Sequence, residues 1–281
     1  MRTPAQNAEL ALLLEVAGTP KPGNVDRHRD FDDLRFEHFL AGAVGASEGL
    51  RAAEGGGGVG DAFETAVAGM ADQRGGNTQF GALLLLVPLV RAAGEDALTP
   101  AGVESVVADT TVADAAGFYR AFDHVDVFVD DPPADADDLD ARRGSDAIPA
   151  VEERGLTLSD LMELSAPEDD NAVEWTTGFP RTFAVAESVA AGTGPVPDRI
   201  ADAFLAQLAE HPDSLVAKQH GREVADEVAS RAAALLDDEA PAEAVDAFGD
   251  DLVERGVNPG TTADIVAAGT FVALERDEVV V

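Results

Sequence analysis

The sequence predicts an all-α fold, a single multi-helix bundle domain over residues 1–281. Three observations support this: apolar residues recur at helical spacing along most of the chain, strand-like alternation is nearly absent, and breaks containing proline or glycine separate the helical stretches. With 281 residues, 46% of them apolar, the chain is long enough to bury a large core.

Helical spacing of apolar residues is clear in most of the chain. The predicted helical stretches are Ala8–Val16, Phe36–Leu50, Phe63–Met70, Gly81–Val90, Val103–Phe118, Leu158–Leu164, Phe183–Val189, Ile200–Leu208, Val224–Leu236, Ala244–Leu252 and Ile265–Leu274. Only Val125–Val129 is predicted to be extended. Residues 130 to 154 are acidic and aperiodic and contain proline, so we expect an acidic surface insertion there.

The charge of the chain is unusual. Its formal net charge is −35, and Lys21 and Lys218 are its only lysines. Such self-repulsion opposes compaction in dilute buffer but is screened within roughly 3 Å at 1 M salt. We therefore expect adaptation to a salty cytosol, and we exclude nucleic acid and anionic membranes as partners. An acidic disordered chain is the alternative, and it fits the regular helical periodicity poorly.

Other compositional features narrow the class of protein. The chain has no cysteine, which excludes disulfides and thiol chemistry. Its N-terminus leads directly into an amphipathic pattern rather than a signal sequence. The longest apolar run, Ala82–Val90, is too short to span a bilayer and contains Pro88. We expect a soluble, cytoplasmic protein, whose oligomeric state the sequence leaves open.

A stiff loop follows the first predicted helix. Gly18 is expected to end that helix in a left-handed conformation, and two prolines restrict the backbone on either side of Lys21. A lysine held this way suits a phosphate, while Asn24 and Asp26 could bind a ribose hydroxyl or Mg²⁺. The alternative is a simple helix terminator with an incidental lysine.

Glycines and polar residues precede the helix predicted from Gly81. Asn77 and Thr78 there could cap the helix, or the free N–H groups at its start could bind an anion. Residues Gly55–Gly60 satisfy G-x-G-x-x-G, but they follow a helix rather than a strand. We therefore reject a dinucleotide-binding motif there.

Two further segments carry candidate chemistry. Glu174 stands beside the only tryptophan, Trp175, and partial desolvation there would suit a carboxylate to proton transfer. Thr261 and Asp264 have the spacing of a capping box, and the helix they begin could bind an anion. His220, near Lys218, is as easily explained as a surface histidine.

Taken together, these segments resemble the triphosphoribosyl-dephospho-CoA synthase family. Residues 19–26 match T-P-K-P-G-x-V-D, the most specific element. Four others follow in order, similar to N-T-H-[KR]-G, R-G-E-A-x-x-G-F-P, D-T-x-x-x-x-R-x-G and P-G-G-x-A-D, at residues 77–81, 172–180, 213–221 and 259–264. Gln79-Phe80 replaces the His-basic pair of that pattern, and Ala172-Val173 replaces its Arg-Gly, so two expected positive charges are absent.

The resemblance implies transfer of a triphosphoribosyl group from ATP to the ribose 2′-hydroxyl of dephospho-CoA, with release of adenine. It places the catalytic carboxylate at Glu174. Nucleotide and phosphate contacts would come from Lys21, Gly23, Asn24, Asn77, Thr78, Lys218, His220, Gly260 and Thr261, and Mg²⁺ ligands from Asp26, Asp213 and Asp264. Two alternatives remain open: ribosyl or phosphoribosyl transfer in another cofactor pathway, such as pterin biosynthesis, and a non-catalytic nucleotide-binding module.

Overall fold

A computed structural model describes residues 2–132 and 136–281. Its α-helices are α1 Pro4–Ala17, α2 Phe36–Gly45, α3 Ser47–Glu54, α4 Val59–Met70, α5 Phe80–Gly94, α6 Pro100–Ala108, α7 Val112–Ala121, α8 Ile148–Arg154, α9 Leu158–Ser165, α10 Asp170–Thr177, α11 Pro180–Ala191, α12 Val196–Glu210, α13 Ser214–His220, α14 Arg222–Asp237, α15 Ala242–Glu254 and α16 Gly260–Glu275. No β-sheet forms within the described residues, so the all-α prediction is confirmed.

Helices α5 and α16 form the centre of the fold. Most residues of both helices are buried, because both helices are apolar on nearly all sides. Helix α16 packs against α1, α5, α11 and α12, and α5 also packs against α3 and α4. Neither these helices nor any other in the described part of the chain has the length and apolarity needed to cross a membrane.

A proline in the middle of α5 leaves a backbone carbonyl free to bond with α10. Pro88 has no N–H, so it cannot donate the helical hydrogen bond to the Leu84 carbonyl. The indole Nε1 of Trp175 in α10 donates to this carbonyl instead, at 3.1 Å. The only tryptophan therefore satisfies a buried acceptor and positions α10 against the central helix.

Two predicted helices are each divided in the structure. The stretch Phe36–Leu50 forms α2 and α3, with Ala46 between them. The stretch Val103–Phe118 forms α6 and α7, because Thr111 and Asp114 make a capping box that begins a new helix. The apolar period continues across both breaks, so periodicity alone did not reveal them.

The predictions for residues 125 to 154 need correction. Val125–Val129 pairs with no other strand in the described chain, and Val125 is buried in the core. The expected aperiodic insertion is helical from Asp137 onward: two short 3₁₀ helices, Asp137–Leu139 and Ala141–Ala147, lead into α8. Leu139, Ala147 and Val151 are buried there, since α8 packs on α7. Residues 133–135 of the predicted insertion lie outside the described residues.

Candidate active site

A cavity of about 110 Å³ lies where α1, α5 and α16 meet. Its polar lining consists of two carboxylates, one hydroxyl and four amides: Glu15, Asp264, Thr78, Asn24, Asn77, Gln79 and Asn258. Leu12, Phe39 and Leu215 contribute apolar surface. Among the described residues, no lysine, arginine or histidine lines it. A larger depression of about 400 Å³, beside Thr3 and Arg51, contains none of the predicted site residues.

Asp264 lies near the start of α16, on the cavity. Its Oδ2 accepts a hydrogen bond from Asn171 Nδ2 at 3.0 Å. A side chain at Gly81 would overlap both groups, so glycine there permits α5 to approach Asp264 closely. Burial raises the pKa of Asp264 well above 3.8; the bond from Asn171 opposes this, and the charges of Asp213 and Glu15 add to it. Compared with an exposed aspartate, Asp264 thus holds its proton to a higher pH.

The turn before α5 places polar side chains on the cavity. Asn77 Oδ1 accepts a hydrogen bond from the Phe80 N–H at 3.0 Å. Asn77 therefore caps the first N–H of α5, as one of the two predictions for this segment had it, although the N-cap position itself is Gln79, whose side chain makes no capping bond. The Gln79 side chain is only 4% exposed, and its Nε2 has no hydrogen-bond partner within the described chain. The cavity thus contains a buried donor that the protein leaves unpaired.

Lys21 lies in the interior rather than at the surface of its loop. Its ammonium forms an ion pair with Glu15, donates to Asn24 Oδ1 at 3.2 Å, and lies 5.8 Å from the ring centroid of Phe204. Burial raises the pKa of Glu15, and the adjacent charge of Lys21 counteracts that rise. Lys21 has no exposed surface with which to bind a phosphate. Its predicted phosphate contact stays a prediction.

The loop around Lys21 is tied to the segment before α16. Asn24 Nδ2 donates to Asn258 Oδ1 at 3.0 Å. Gly23 has a φ of +71°, and a Cβ there would lie 2.6 Å from the Val257 carbonyl oxygen, so both the conformation and the contact require glycine. The left-handed stop expected at Gly18 is wrong: its φ of −62° and ψ of 134° are extended, and the chain leaves α1 in that direction.

Asp26 closes the same loop. Its carboxylate accepts hydrogen bonds from Thr19 Oγ1 at 2.9 Å, from the N–H groups of Lys21 and His28 at 3.2 and 2.8 Å, and from Arg29 Nη1 at 3.3 Å. The residue is completely buried. These protein donors occupy the oxygens that a metal ion would need.

Asp213 joins α13 to α16. Its Oδ1 caps α13 by accepting from the Val216 N–H at 3.0 Å, and its Oδ2 accepts from the N–H and Oγ1 of Thr262 at 2.7 and 2.8 Å. The Ser214 hydroxyl donates to Thr261 Oγ1 at 3.1 Å. Both predicted site residues, Asp213 and Thr261, therefore hold helices together.

The predicted capping box before α16 is wrong. The N-cap position is Pro259, and Thr261 and Asp264 lie inside the helix, which begins at Gly260. Gly260 itself lines the cavity, as its predicted contact with ligand requires. Asp264 is released from capping and is available to the cavity.

The second lysine lies outside the cavity. Lys218 Nζ contacts the carboxylates of Asp169 at 2.6 Å and Asp130 at 3.3 Å. His220 is exposed, and its Nε2 lies 3.0 Å from the Gly256 carbonyl oxygen. Neither residue lines the cavity, so their predicted nucleotide contacts stay predictions.

Glu174 connects two consecutive helices. It lies within α10 rather than in a break, and its side chain is completely buried. Its Oε1 accepts from the Arg181 N–H at 3.1 Å and its Oε2 from the Thr182 N–H at 2.8 Å, at the start of α11. Burial raises the pKa of Glu174, while the bonds from Thr182 lower it. Glu174 does not line the cavity, so this geometry lends no support to its predicted catalytic role.

The structure brings together only part of the predicted site. The predicted residues that line the cavity are Asn24, Asn77, Thr78, Gly260 and Asp264. Asp26, Asp213 and Asp264 do not form a metal site: the described residues include no group of three or more acidic or histidine side chains that could hold an ion.

Four polar residues on or beside the cavity were not predicted from the sequence: Glu15, Gln79 and Asn258 line it, and Asn171 contacts Asp264 from outside the lining. Glu15 is a carboxylate on the buried side of α1, and an acid among apolar residues was the available signal. Asn171 precedes Glu174 by three residues and so shares its helix face. Gln79 was noted only as a position where the sequence differs from the family pattern. Nothing in the sequence marked Asn258 except that it precedes the last motif.

The fold is an all-α bundle with a cavity lined by polar side chains between its central helices. The sequence model of the ATP:dephospho-CoA triphosphoribosyl transferase family matches residues 1–280, and the chain belongs to that family. It is therefore a transferase, as the resemblance implied.

A solved structure supports the fold. The chain is similar to a crystal structure from Archaeoglobus fulgidus that is provisionally named a triphosphoribosyl-dephospho-CoA synthase, with a TM-score of 0.68 and 23% identity. The similarity covers 84% of this chain and 97% of that one. No curated protein matches the sequence.

Proposed function

We propose that the cavity between α1, α5 and α16 is the place where this enzyme transfers the triphosphoribosyl group of ATP to the ribose 2′-hydroxyl of dephospho-CoA and releases adenine. The observation that carries the placement is Asp264, a carboxyl group among neutral hydrogen-bonding side chains. Family membership supports the reaction itself.

The reaction needs one carboxyl group close to the ribose. The acceptor hydroxyl oxygen bonds to C1′ of ATP while the bond from C1′ to adenine breaks. The bonding pair leaves with adenine, which takes up a proton, and the hydroxyl loses one. Positive charge develops at C1′ as in glycoside hydrolysis, so a nearby carboxyl group can stabilise it or relay the proton. Asp264 suits this role because, within the described chain, Asn171 is the only donor to its carboxylate.

Magnesium enters this proposal with the substrate. Of the carboxylates on the cavity, Glu15 is already paired with Lys21, and Asp264 alone remains. Mg²⁺ is commonly held by one or two carboxylates together with substrate phosphates rather than by an all-protein site. We therefore treat Mg²⁺ as bound chiefly by the ATP phosphates. Our candidates for contacts with the nucleotide itself are the predicted residues that line the cavity: Asn24, Asn77, Thr78 and Gly260.

The experiment is an assay for adenine. Purified protein is incubated with ATP and Mg²⁺ in molar KCl, first with dephospho-CoA and then with pterin-pathway intermediates, and adenine is separated by chromatography. Adenine formed with dephospho-CoA supports the proposal. If adenine forms only with another acceptor, that acceptor rather than dephospho-CoA is the substrate. If the protein binds ATP but releases no adenine with any acceptor, a non-catalytic nucleotide-binding module is the better account.

We also propose that the protein works in a salt-rich cytoplasm. Its net charge of −35 is balanced by few cations, and both lysines are already engaged by carboxylates. Added salt screens the remaining repulsion between surface acids. The melting temperature should therefore rise steadily from dilute buffer to molar KCl, and a flat or falling melting temperature contradicts salt adaptation.

A further inference from the structure

Gln79 presents a hydrogen-bond donor that the protein does not use. The side chain lines the cavity but is only 4% exposed, and its Nε2 has no partner among the residues described. An unpaired buried donor destabilises a folded protein, and native structures leave few of them. A ligand acceptor in the cavity would remove this cost.

The position of the Gln79 amide is set by its surroundings. The backbone N–H of Gln79 donates to Met70 Sδ at 3.2 Å. The backbone carbonyl of Gln79 accepts from the Leu83 N–H at 2.9 Å in the first turn of α5. Gly42 in α2 leaves room for the side chain, since a Cβ there would lie 3.1 Å from Gln79 Oε1. Thr78 Oγ1 lies 3.5 Å from the same Oε1, which leaves Nε2 as the unpaired end.

The cavity chemistry indicates an uncharged occupant. No cationic side chain lines the cavity within the described chain, whereas four amides, two carboxylates and apolar Leu12 and Phe39 do. Its volume of about 110 Å³ is below the range of about 300 to 1,000 Å³ typical of pockets that enclose a whole drug-sized ligand. The lining offers no cation to a triphosphate, and the cavity is too small to enclose a whole nucleotide, so it suits the neutral part of one.

We infer that Gln79 is a specificity-determining residue, whose Nε2 donates a hydrogen bond to an uncharged acceptor on the nucleoside part of ATP, a ring nitrogen or a ribose hydroxyl, while the triphosphate stays outside the cavity. This inference rests on the proposed function, because it assumes that ATP is the ligand. A site built around such a donor rejects ligands that lack the acceptor.

The test uses adenosine, which carries no phosphate, as the probe in calorimetric titration of the full chain in molar KCl. Gln79→Leu should weaken adenosine binding about 5- to 30-fold, since one buried hydrogen bond is lost. The melting temperature of the ligand-free variant should stay the same or rise, because the unpaired donor has gone. Gln79→Met, of similar length but with no hydrogen-bond donor, should weaken binding about as much.

Gln207→Leu is the matched control. Gln207 is also buried, at 8% exposed, but it lies outside the cavity and accepts a hydrogen bond from Arg181 Nε at 3.2 Å. This variant should melt at a lower temperature and bind adenosine as the wild type does. Undiminished adenosine binding by Gln79→Leu overturns the inference, and so does a loss matched by Gln207→Leu.

The adenine assay separates this inference from the proposed function. Wild-type protein that binds adenosine through Gln79 but releases no adenine from ATP supports the inference and contradicts the proposed transfer. Adenine release by Gln79→Leu with an unchanged KM for ATP has the opposite meaning: the transfer stands, and the role of Gln79 is overturned.

Discussion

Glu174 and Asp264 are both carboxylates with a raised pKa, yet their surroundings differ in one respect. Both oxygens of Glu174 accept a hydrogen bond from an N–H group at the start of α11. Asp264 accepts from Asn171 alone within the described chain, and it borders a cavity. Burial and pKa do not distinguish these two carboxylates, whereas the number of hydrogen bonds that the protein supplies to each does.

The same contrast separates Lys21 from Gln79. Lys21 belongs to the most specific motif in the sequence, but Glu15 and Asn24 satisfy its ammonium in the interior. Gln79 departs from that pattern, and its amide nitrogen is unpaired at the cavity. Substitution of a residue such as Lys21 should therefore lower stability, whereas substitution of a cavity residue should change ligand binding or turnover.

The largest effect is expected at the cavity. Asp264→Asn preserves shape and the contact with Asn171 but removes the carboxyl group, so adenine release should fall about 10²- to 10⁴-fold. ATP binding should persist, and the melting temperature should not fall, because a buried acid has been replaced by a neutral group. Chromatography of adenine and a thermal melt on the same sample measure both. Full turnover by this variant would remove Asp264 from the reaction.

Lys21→Ala should act on folding. The substitution leaves Glu15 buried without its partner, which typically costs about 3 to 5 kcal/mol of stability. Chemical unfolding in molar KCl measures the loss. The double variant Lys21→Met, Glu15→Gln removes both charges and should recover most of it. A Lys21→Ala protein that is as stable as wild type but binds ATP weakly would support the phosphate contact predicted from the sequence.

Glu174→Gln should have a smaller effect, again on folding. The glutamine retains one acceptor and turns its NH₂ group toward a backbone N–H, so one donor of α11 loses its partner at a cost of about 1 to 3 kcal/mol. Adenine release per folded molecule should change little. The same unfolding and adenine assays apply, and a turnover loss of orders of magnitude without loss of stability would support the catalytic role predicted from the sequence.

The smallest effect concerns pH. Because the folded-state pKa of Asp264 lies above 3.8, the folded protein retains a proton there that the unfolded chain releases. The contribution of this group to stability is therefore present below pH 3.8 and is lost as pH rises through the folded pKa. Relative to wild type, Asp264→Asn should gain stability across that window, by at most about 1.4 kcal/mol per pH unit. Unfolding curves at several pH values measure the free energy of unfolding of both proteins. A difference between the two proteins that does not change with pH would contradict this prediction.

Much of the fold was predictable because helices are local structures. The buried face of α12 follows apolar periodicity that the sequence displays directly, and α5 and α16 are recognisable as largely apolar segments. The division between α6 and α7 was missed because the capping box at Thr111 interrupts the chain but not the apolar period. The site was less predictable, since motifs mark residues that a family needs without distinguishing those that hold the loop from those that meet the ligand.

The sequence by itself determined the all-α class, the acidity of the protein and the family to which it belongs, because composition, periodicity and ordered motifs are properties of the chain. Only the tertiary structure decided which polar groups find partners within the protein. Both carboxylate oxygens of Glu174 and of Asp26 accept hydrogen bonds from groups that pack against them. Within the described residues only one oxygen of Asp264 does so, and Nε2 of Gln79 has no partner. Which donors reach a buried group depends on how distant helices pack, and packing across such distances along the chain leaves no local pattern.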